Sequence, residues 1–291
     1  MHHFILGPGG VGGLIAGVLA RSGETVTVVP GRSRHPSQIS VESKFGNFTV
    51  PLRVADSVDQ PCDVVWIAVK ATQLESALAK IPDPSKAGCI VPLLNGVDHL
   101  VTLRDRYGAD KVVPATIAVE SERVSPGHIA HRSPFARLNI AVSGRERLQP
   151  ILDLFTKFGF ECKFVDYEAT LMWSKLVFLA PLALATTAGN VPVGGVIADP
   201  EQKARLEAMI REACAVGQKE GAKVDPEFVI KNLPNLPPNM RSSMQKDVDA
   251  GRSPELDAIA GPILRGGQLH EVPTPATQAA CDAIERRIAK H

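Results

Sequence analysis

Three glycines near the start of the chain are spaced as a phosphate-binding loop. Gly7, Gly9 and Gly12 form the pattern G-x-G-x-x-G, directly after a short apolar run and before an apolar helical pattern. In that context Gly7 allows a tight turn, Gly9 lets the backbone approach a pyrophosphate, and Gly12 lets the helix pack on the strand. The N–H groups at the helix N-terminus, with Gly10 and Val11, then face the anion. The pattern predicts a dinucleotide site; the alternative is a flexible turn that is merely rich in glycine.

The residues after the second predicted strand favour one dinucleotide over the other. A site for NAD places an acid about 20 residues beyond the glycines, where it holds the ribose hydroxyls. Here the strand predicted over 25–29 is followed by five residues that contain Arg32 and Arg34 and no acid. A carboxylate would repel a 2′-phosphate, whereas a guanidinium fork holds it. NADPH is therefore favoured, unless the two arginines are solvated loop charges.

Two polar side chains follow later predicted strands. Lys70 directly follows the apolar run 63–69. Asn95 directly follows the run 89–94 and precedes Gly96. The carboxyl ends of parallel strands line one crevice, where ligands bind. We therefore expect both side chains at the cofactor site. Ordinary turn chemistry is the alternative, since Asn-Gly is a common turn dipeptide.

Lys175 is the single charged residue in the apolar stretch 171–179. An ammonium in so apolar a helix must pair with another group, reach the surface or lose its proton. A lysine with a lowered pKa is suited to act as a general acid. A lysine that only extends to the surface is the alternative.

Glu255 and Ser243 lie in two further polar segments. Ser253 as an N-cap, followed by Pro254 and first-turn acids, predicts a helix start that explains Glu255 without any function. Ser243 lies in a helix or loop segment that carries no chemical signature of its own. The eight histidines show no metal-ligand spacing, so we predict no metal site.

The pattern of elements changes near residue 166. Before it, apolar strands alternate with helices, and a strand–helix–strand unit within the first thirty residues is typical of a βαβ fold. The run from Leu138 to Val142 is expected to continue the same sheet. After it, helical patterns fill the ranges 168–188, 199–220, 225–232, 239–250, 254–267 and 274–289. We predict an α/β Rossmann domain with a parallel-type sheet over 1–166 and an all-α domain over 167–291.

Charge and composition limit the partners. The 291 residues include 32 Lys and Arg against 31 Asp and Glu, a net charge of +1. Nucleic-acid binding needs a basic surplus, so it is not expected.

The five cysteines form no CxxC pair, which favours free thiols. The N-terminus lacks a leader pattern, and the apolar stretch from Leu176 to Ala185 is too short to span a membrane. We expect a buried helix there and a cytoplasmic protein.

Taken in order, these motifs resemble the ketopantoate reductase (2-dehydropantoate 2-reductase) family. The order is the glycine loop, no acid after the second strand, Val-Lys-Ala-x-Gln, Asn-Gly-Val, Ser-Pro-Gly-His-Ile, Trp-Ser-Lys-Leu, Ser-Ser-Met-x-x-Asp and Gly-Arg-x-x-Glu-Leu-Asp. The resemblance covers nearly the whole chain. It implies a helical domain related to the C-terminal domain of 6-phosphogluconate dehydrogenase, an active site in the cleft between the domains, and NADPH-dependent reduction of ketopantoate to pantoate in pantothenate biosynthesis.

The resemblance also implies roles for the residues that contact the substrate. Lys175 matches the general acid that protonates the carbonyl oxygen as hydride arrives. Glu255 matches an active-site glutamate that contacts the substrate hydroxyl, and Ser243 matches a substrate-binding serine. Asn95 matches an asparagine near the nicotinamide and the substrate. The resemblance thus favours the functional interpretation of these positions.

For the cofactor, the resemblance implies that Arg32 and Lys70 hold the NADPH phosphate and places Gln73 beside them. The chain departs from the family at Leu179 and Ala183, where the family usually has asparagines that face the substrate. The loss of two amides removes hydrogen-bond partners for a substrate hydroxyl and carboxylate.

This departure leaves three hypotheses open. The first is a reductase of ketopantoate, and the second is a related reductase of another, bulkier or more apolar 2-oxo acid. The third is an NADPH-binding protein without catalysis, although Lys175 and Glu255 are both kept. The expected partner is a small 2-oxo acid, with no nucleic acid and no membrane, and a homodimer is left open.

Overall fold

The computed structural model describes residues 1–31 and 34–289. The chain forms two compact units, of which the first comprises Met1–Leu94 and His99–Asp166. The second comprises Tyr167–His291 together with the short segment Asn95–Asp98. This segment, called the crossing segment below, departs from the single division at residue 166 that the sequence suggests.

The first unit alternates strands with helices. In chain order its elements are β1 (His2–Leu6), α1 (Gly10–Arg21), β2 (Thr25–Val29), β3 (Gln38–Glu42), β4 (Phe48–Pro51), β5 (Arg53–Val54), β6 (Cys62–Ile67), α2 (Leu74–Leu78), β7 (Ala87–Pro92), α3 (His99–Tyr107), β8 (Ala115–Ala118), β9 (Ser121–Ser125), β10 (His128–His131), β11 (Arg137–Ala141), α4 (Arg145–Phe158) and β12 (Glu161–Val165). Short 3₁₀ turns join several of them.

A five-stranded parallel sheet with the order β5-β2-β1-β6-β7 forms the centre of this unit. Its inner strands end in buried apolar residues, because both faces of the sheet are covered there. The ends of the strands are in register: Leu6 pairs with Val29 and with Ile67, and Ile67 pairs with Pro92. The loops after β1, β2, β6 and β7 therefore begin along one edge of the sheet.

Helix α1 is rich in small residues because it packs closely on neighbouring strands. A Cβ at Gly12 would lie 2.2 Å from the carbonyl oxygen of Gly7, and one at Gly17 would lie 2.6 Å from a methyl of Val41 in β3. Leu14, like its apolar neighbours in the helix, is fully buried. The glycines thus let the helix approach the backbone of its own loop and a second sheet at once.

The second and third sheets correct the expectation of one continuous sheet. β11, which includes Leu138, was expected to extend the parallel sheet, and this was wrong: it lies in a separate sheet of order β12-β11-β8. The other sheet, β4-β3-β10-β9, contains three strands that the sequence did not predict. β3 and β9 are short and mostly polar, and much of their surface is exposed, so they lack the apolar run that marks a buried strand.

The second unit, apart from the crossing segment, is helical. Its elements are α5 (Glu168–Gly189), α6 (Val193–Ala198), α7 (Pro200–Lys219), α8 (Pro226–Asn232), α9 (Ser243–Asp249), α10 (Leu256–Leu269) and α11 (Pro275–Ile288). The predicted fold class, a parallel α/β domain followed by a helical one, is confirmed. Helices α3 and α6 escaped prediction, since α3 is polar and α6 has six residues with two glycines.

Helix α5 is the longest helix of the described residues and the centre of the second unit. Its 22 residues are long and apolar enough to cross a bilayer by length and composition, but 67% of its most apolar window is buried inside the protein. Leu176, Leu184 and their neighbours pack there against residues of α7 and α10. This burial is typical of a core helix.

Gly12→Ala should lower the stability of the first unit, because the added methyl would meet a backbone carbonyl that cannot rotate away. Overpacking of this kind costs about 1–3 kcal/mol. Urea unfolding followed by circular dichroism measures the change. Gly9→Ala is the matched control, since the nearest atom to a Cβ there is 4.0 Å away; an equal loss in both variants would contradict the packing argument.

Candidate active site

The glycine loop lies at the carboxyl end of β1 and has a defined geometry. Gly7 adopts a φ of +82°, a left-handed conformation that favours glycine, and its N–H donates to the carbonyl of Val29 at 3.2 Å. Gly9 donates to the carbonyl of Gly7 at 2.7 Å. A Cβ at Gly10 would lie 2.1 Å from the carbonyl oxygen of Ser121. Gly7 and Gly10 are therefore required by the fold itself.

Gly9 differs from the other glycines of the loop. Its φ is −81°, which any residue can adopt, and a Cβ there would have open space around it. The fold therefore gives no reason for a glycine at this position. A ligand that approaches the backbone closely would give one, as in dinucleotide sites.

The N-terminus of α1 is suited to an anion. Gly9 is the N-cap, no side chain caps the helix, and its first turn holds no acidic residue. The first N–H groups of a helix have no acceptor within it and carry the positive end of the helix dipole. The half-buried Gly10 and Val11 occupy this first turn. The loop and the helix start together fit a pyrophosphate.

The other candidate cofactor residues follow β2 and β6. Arg34 is exposed, and Arg32 lies outside the described residues. Lys70 is half-buried and is the N-cap of a 3₁₀ turn, while Gln73 is exposed at the end of that turn, where its N–H donates to the carbonyl of Lys70 at 2.8 Å. β2 and β6 both pair with β1, so these segments begin beside the glycine loop.

Sequence reasoning missed one residue that supports this loop. The Ser121 hydroxyl donates to the carbonyl of Gly10 at 2.8 Å and so ties the helix start to β9. The signal was absent because β9 was not predicted, and the hydrogen bond joins residues 111 positions apart in the chain.

Three of the predicted residues come together in the second unit. Lys175 Nζ donates to Asn95 Oδ1 at 3.0 Å, and Asn95 Nδ2 donates to Glu255 Oε2 at 3.3 Å. The lysine comes from α5, the asparagine from the crossing segment and the glutamate from the residue before α10. All three side chains are half-buried. These residues are called the Lys–Asn–Glu cluster below.

The chemistry of the three groups determines how Asn95 is oriented. An ammonium can only donate hydrogen bonds and a carboxylate can only accept them. The amide must therefore present its oxygen to Lys175 and its nitrogen to Glu255, as observed. Asn95 was expected after β7, near the nicotinamide and the substrate. By its contacts it belongs to the second unit, and its contact with a cofactor stays a prediction.

Burial lowers the pKa of Lys175 from 10.5 to about 8, and the negative charge of Glu255 opposes this shift. Burial acts this way because it disfavours the charged ammonium, whereas a nearby carboxylate favours it. At neutral pH the ammonium is therefore mostly protonated, yet it is a far better proton donor than an ordinary lysine. These properties suit a general acid.

The structure corrects the helix-start interpretation of Glu255. The N-cap of α10 is Glu255 itself and not Ser253, the helix begins at Leu256, and no side chain makes a capping hydrogen bond. The carboxylate instead accepts from Asn95 and raises the pKa of Lys175. A helix start therefore does not account for this side chain.

Ser243 is placed differently from the cluster. It is the exposed first residue of α9, and the hydrogen bonds of the described residues do not join it to the Lys–Asn–Glu cluster. Its neighbour Ser242 is the N-cap, which accepts from the N–H of Gln245 and bonds to the Thr186 hydroxyl at 2.9 Å. Its contact with substrate remains a prediction.

The face of α5 beyond Lys175 is apolar. Residues 176–185 include no polar side chain. Leu179, one helical turn after the lysine, is half-buried, and Ala183, a further turn on, is 1% exposed. A ligand that contacts this face meets hydrocarbon and no hydrogen-bond donor.

Comparison with known proteins gives a consistent result over the whole chain. A family model described as ketopantoate reductase PanE/ApbA matches residues 3–143, and the C-terminal model of the same family matches residues 169–287. The chain is 29% identical over 281 residues to a 2-dehydropantoate 2-reductase of Caulobacter vibrioides, and the match covers 94% of each chain.

Two solved structures are similar in fold. A PanE/ApbA family ketopantoate reductase from Ralstonia eutropha JMP134 superposes with a TM-score of 0.89 at 25% identity, covering 100% of this chain and 99% of the other. D-mandelate dehydrogenase with NADH and anilino(oxo)acetate superposes with a TM-score of 0.87 at 18% identity, with the same coverage. At 18% identity the second likeness concerns the fold alone.

Glu255→Gln should lower the pKa of Lys175 further below about 8, because the change removes the charge that favours the ammonium. NMR of protein labelled at the lysine ε-carbon, with Lys175→Met to identify the signal, measures the pKa directly. Glu201→Gln is the control, since this exposed carboxylate of α7 bonds to Arg205 and not to the cluster. A pKa of Lys175 that is unchanged in Glu255→Gln would contradict the assigned coupling.

Proposed function

Since the chain belongs to the ketopantoate reductase family, we propose that it reduces 2-dehydropantoate to pantoate with NADPH. The observation that carries this proposal is the Lys–Asn–Glu cluster, with Lys175 at a pKa of about 8. The net reaction consumes NADPH, one proton and the 2-oxo acid, and yields NADP⁺ and the 2-hydroxy acid.

The residues of the first unit are suited to hold the cofactor. The N–H groups at the start of α1, with Gly9 leaving space, would bind the pyrophosphate. Arg32, Arg34 and Lys70 would hold the 2′-phosphate, and the lack of an acid after β2 avoids repulsion. When bound, the nicotinamide supplies the hydride.

The cluster residues would stabilise the negative charge on the substrate oxygen and then neutralise it by proton transfer. Negative charge grows on the carbonyl oxygen as its carbon is reduced, and the Lys175 ammonium stabilises that charge and then donates its proton to the oxygen. Glu255 keeps the lysine charged before the reaction, and Asn95 orients the Nζ atom. The neutral amine is then reprotonated from solvent.

A second candidate substrate is favoured by the apolar face of α5. Leu179 and Ala183 offer no partner to a substrate hydroxyl, and a buried hydroxyl without a partner costs about 1–3 kcal/mol. A 2-oxo acid with a hydrocarbon side chain would avoid this cost. The chemistry at Lys175 is the same for both substrates.

An NADPH-oxidation screen with a panel of 2-oxo acids tests the proposal. We expect turnover with 2-dehydropantoate; a higher kcat/KM for a 2-oxo acid with a hydrocarbon side chain would favour the second candidate. The same panel with NADH measures the preference between cofactors. Tight NADPH binding without turnover of any 2-oxo acid would overturn the proposal.

Lys175→Ala should lower kcat by about 10²–10⁴-fold, the usual contribution of a positioned general acid. NADPH affinity should be unchanged, as measured by the fluorescence of the bound cofactor.

In the unchanged protein kcat/KM should be constant below about pH 8 and fall tenfold per pH unit above it, because the acid must carry its proton. Lys219→Ala, an exposed lysine at the end of α7, is the control. Turnover that survives in Lys175→Ala would remove its assigned role.

Gly9→Ala should raise the dissociation constant for NADPH about tenfold or more, which corresponds to ~1.4 kcal/mol. The methyl would occupy the space that the pyrophosphate needs, while the fold has room for it. Fluorescence titration measures the affinity and thermal unfolding checks the fold. Unchanged affinity would place the pyrophosphate elsewhere.

A further inference from the structure

The crossing segment is held to the second unit along its whole length. Its residues Asn95–Asp98 belong to that unit, although Leu94 and His99 on either side belong to the first. Gly96 adopts a φ of +81°, and a Cβ there would lie 2.1 Å from the carbonyl oxygen of Ala258 in α10. Val97 packs on the apolar core of the second unit.

Arg265 holds the far end of the segment. Its Nη2 atom donates to Asp98 Oδ2 at 2.5 Å, and its Nη1 atom donates to Asp257 Oδ1 at 2.6 Å. Asp257 and Arg265 both lie on α10, eight residues apart, so the guanidinium reaches back along the helix toward its start. Its two arms join the crossing segment to the beginning of α10.

Gly261 makes this reach possible. A Cβ at this position would lie 2.3 Å from Arg265 Nη2 and 2.7 Å from Cζ. The guanidinium therefore lies over the helix surface where any other residue would place a side chain. The glycine at position 261 thus has a structural explanation, which is room for the arginine.

The two carboxylates that Arg265 joins are close in sequence to two residues of the Lys–Asn–Glu cluster. Asn95 is three residues before Asp98, and Glu255 is two residues before Asp257. Arg265 thus fixes the distance between the backbone segments that carry two of the three polar groups. The hydrogen bond between Asn95 and Glu255 is 3.3 Å long, so a small displacement of the segment would break it.

We propose that Arg265 is a positioning residue for the Lys–Asn–Glu cluster: by holding Asp98 to the start of α10, it keeps Asn95 between Lys175 and Glu255. It acts through the backbone and not by contact with the reacting atoms. The kinetic part of this proposal rests on the proposed reduction, whereas its effect on the lysine does not.

A positioning role can be separated from a purely structural one. The side chains of Arg265 and Asp98 are 53% and 50% exposed, and ion pairs so exposed contribute little to global stability. Removing the pair should therefore leave the unfolding temperature nearly unchanged. The position of Asn95 is sensitive to the same change because its hydrogen bonds need an accurate distance.

The test compares Arg265→Met, Asp98→Asn and the double variant. Each variant should lower kcat several-fold with little change in KM for NADPH. Each should also lower the pKa of Lys175, because the amide oxygen of Asn95 accepts a hydrogen bond from the ammonium and so favours the charged form. The effects of the two single changes should not add, since both break one linkage. Arg265→Lys, which keeps the charge but not the two-armed geometry, should recover only part of the loss.

Arg205→Met is the matched control, since it removes an exposed ion pair with Glu201 on α7. If Arg265→Met and Asp98→Asn leave both kcat and the pKa of Lys175 as in this control, Gly96 and Val97 alone hold the segment and the proposal fails. Additive losses that follow the unfolding temperature would also overturn it. The lysine pKa, read by NMR, tests the proposal even for a chain that reduces no 2-oxo acid.

Discussion

The ammonium of Lys175 is the group on which the rest of the candidate site depends. Burial within the apolar helix α5 drives its pKa down, and Glu255 acts in the opposite direction, which leaves it at about 8. A lysine at its ordinary pKa would hold its proton more strongly, and loss of the carboxylate would lower the pKa of Lys175 further. The apolar helix and the carboxylate together therefore set the acidity of this ammonium.

The balance requires groups from distant parts of the chain to meet at one point. Asn95 is 80 residues from Lys175 and 160 residues from Glu255, and it contacts both. This is possible because the four residues of the crossing segment pack with the second unit. Gly96 lets the backbone of this segment lie against the backbone of α10 at Ala258. A side chain at Gly96 would push away the same segment that carries Asn95.

The parts of the fold that were predictable are those encoded locally. Gly7 and Gly12 give a local signal for their turn and helix. Gly7 adopts a positive φ, and a Cβ at Gly12 would meet the carbonyl oxygen of Gly7, five residues earlier. β3 and β10 escaped prediction, since Ser40 and His128 form a pair only after a separation of 88 residues, and neither strand carries a long apolar run. The local signal at Ser253 even misled, because tertiary contacts and not capping determine the place of Glu255.

The site was predictable in its members but not in its arrangement. Lys175, Asn95 and Glu255 are recognisable by type and motif, yet nothing in the sequence indicates the hydrogen bonds that place Asn95 between the other two. Arg265 and Asp98 carried no signal, because they lie 167 residues apart and each is an ordinary surface charge on its own. Their significance comes from the geometry of a single guanidinium between two carboxylates.

The proposed reduction would separate the chemistry at Lys175 from the choice of substrate. After Lys175, α5 continues with ten residues without a polar side chain, and the groups that act on the lysine come from the crossing segment and from the residue before α10. Changes at Leu179 or Ala183 would alter what the helix face accepts without touching the hydrogen bonds of Asn95. In the proposed reaction, one acid could therefore serve different 2-oxo acids, with the helix face selecting among them and the Lys–Asn–Glu cluster unchanged.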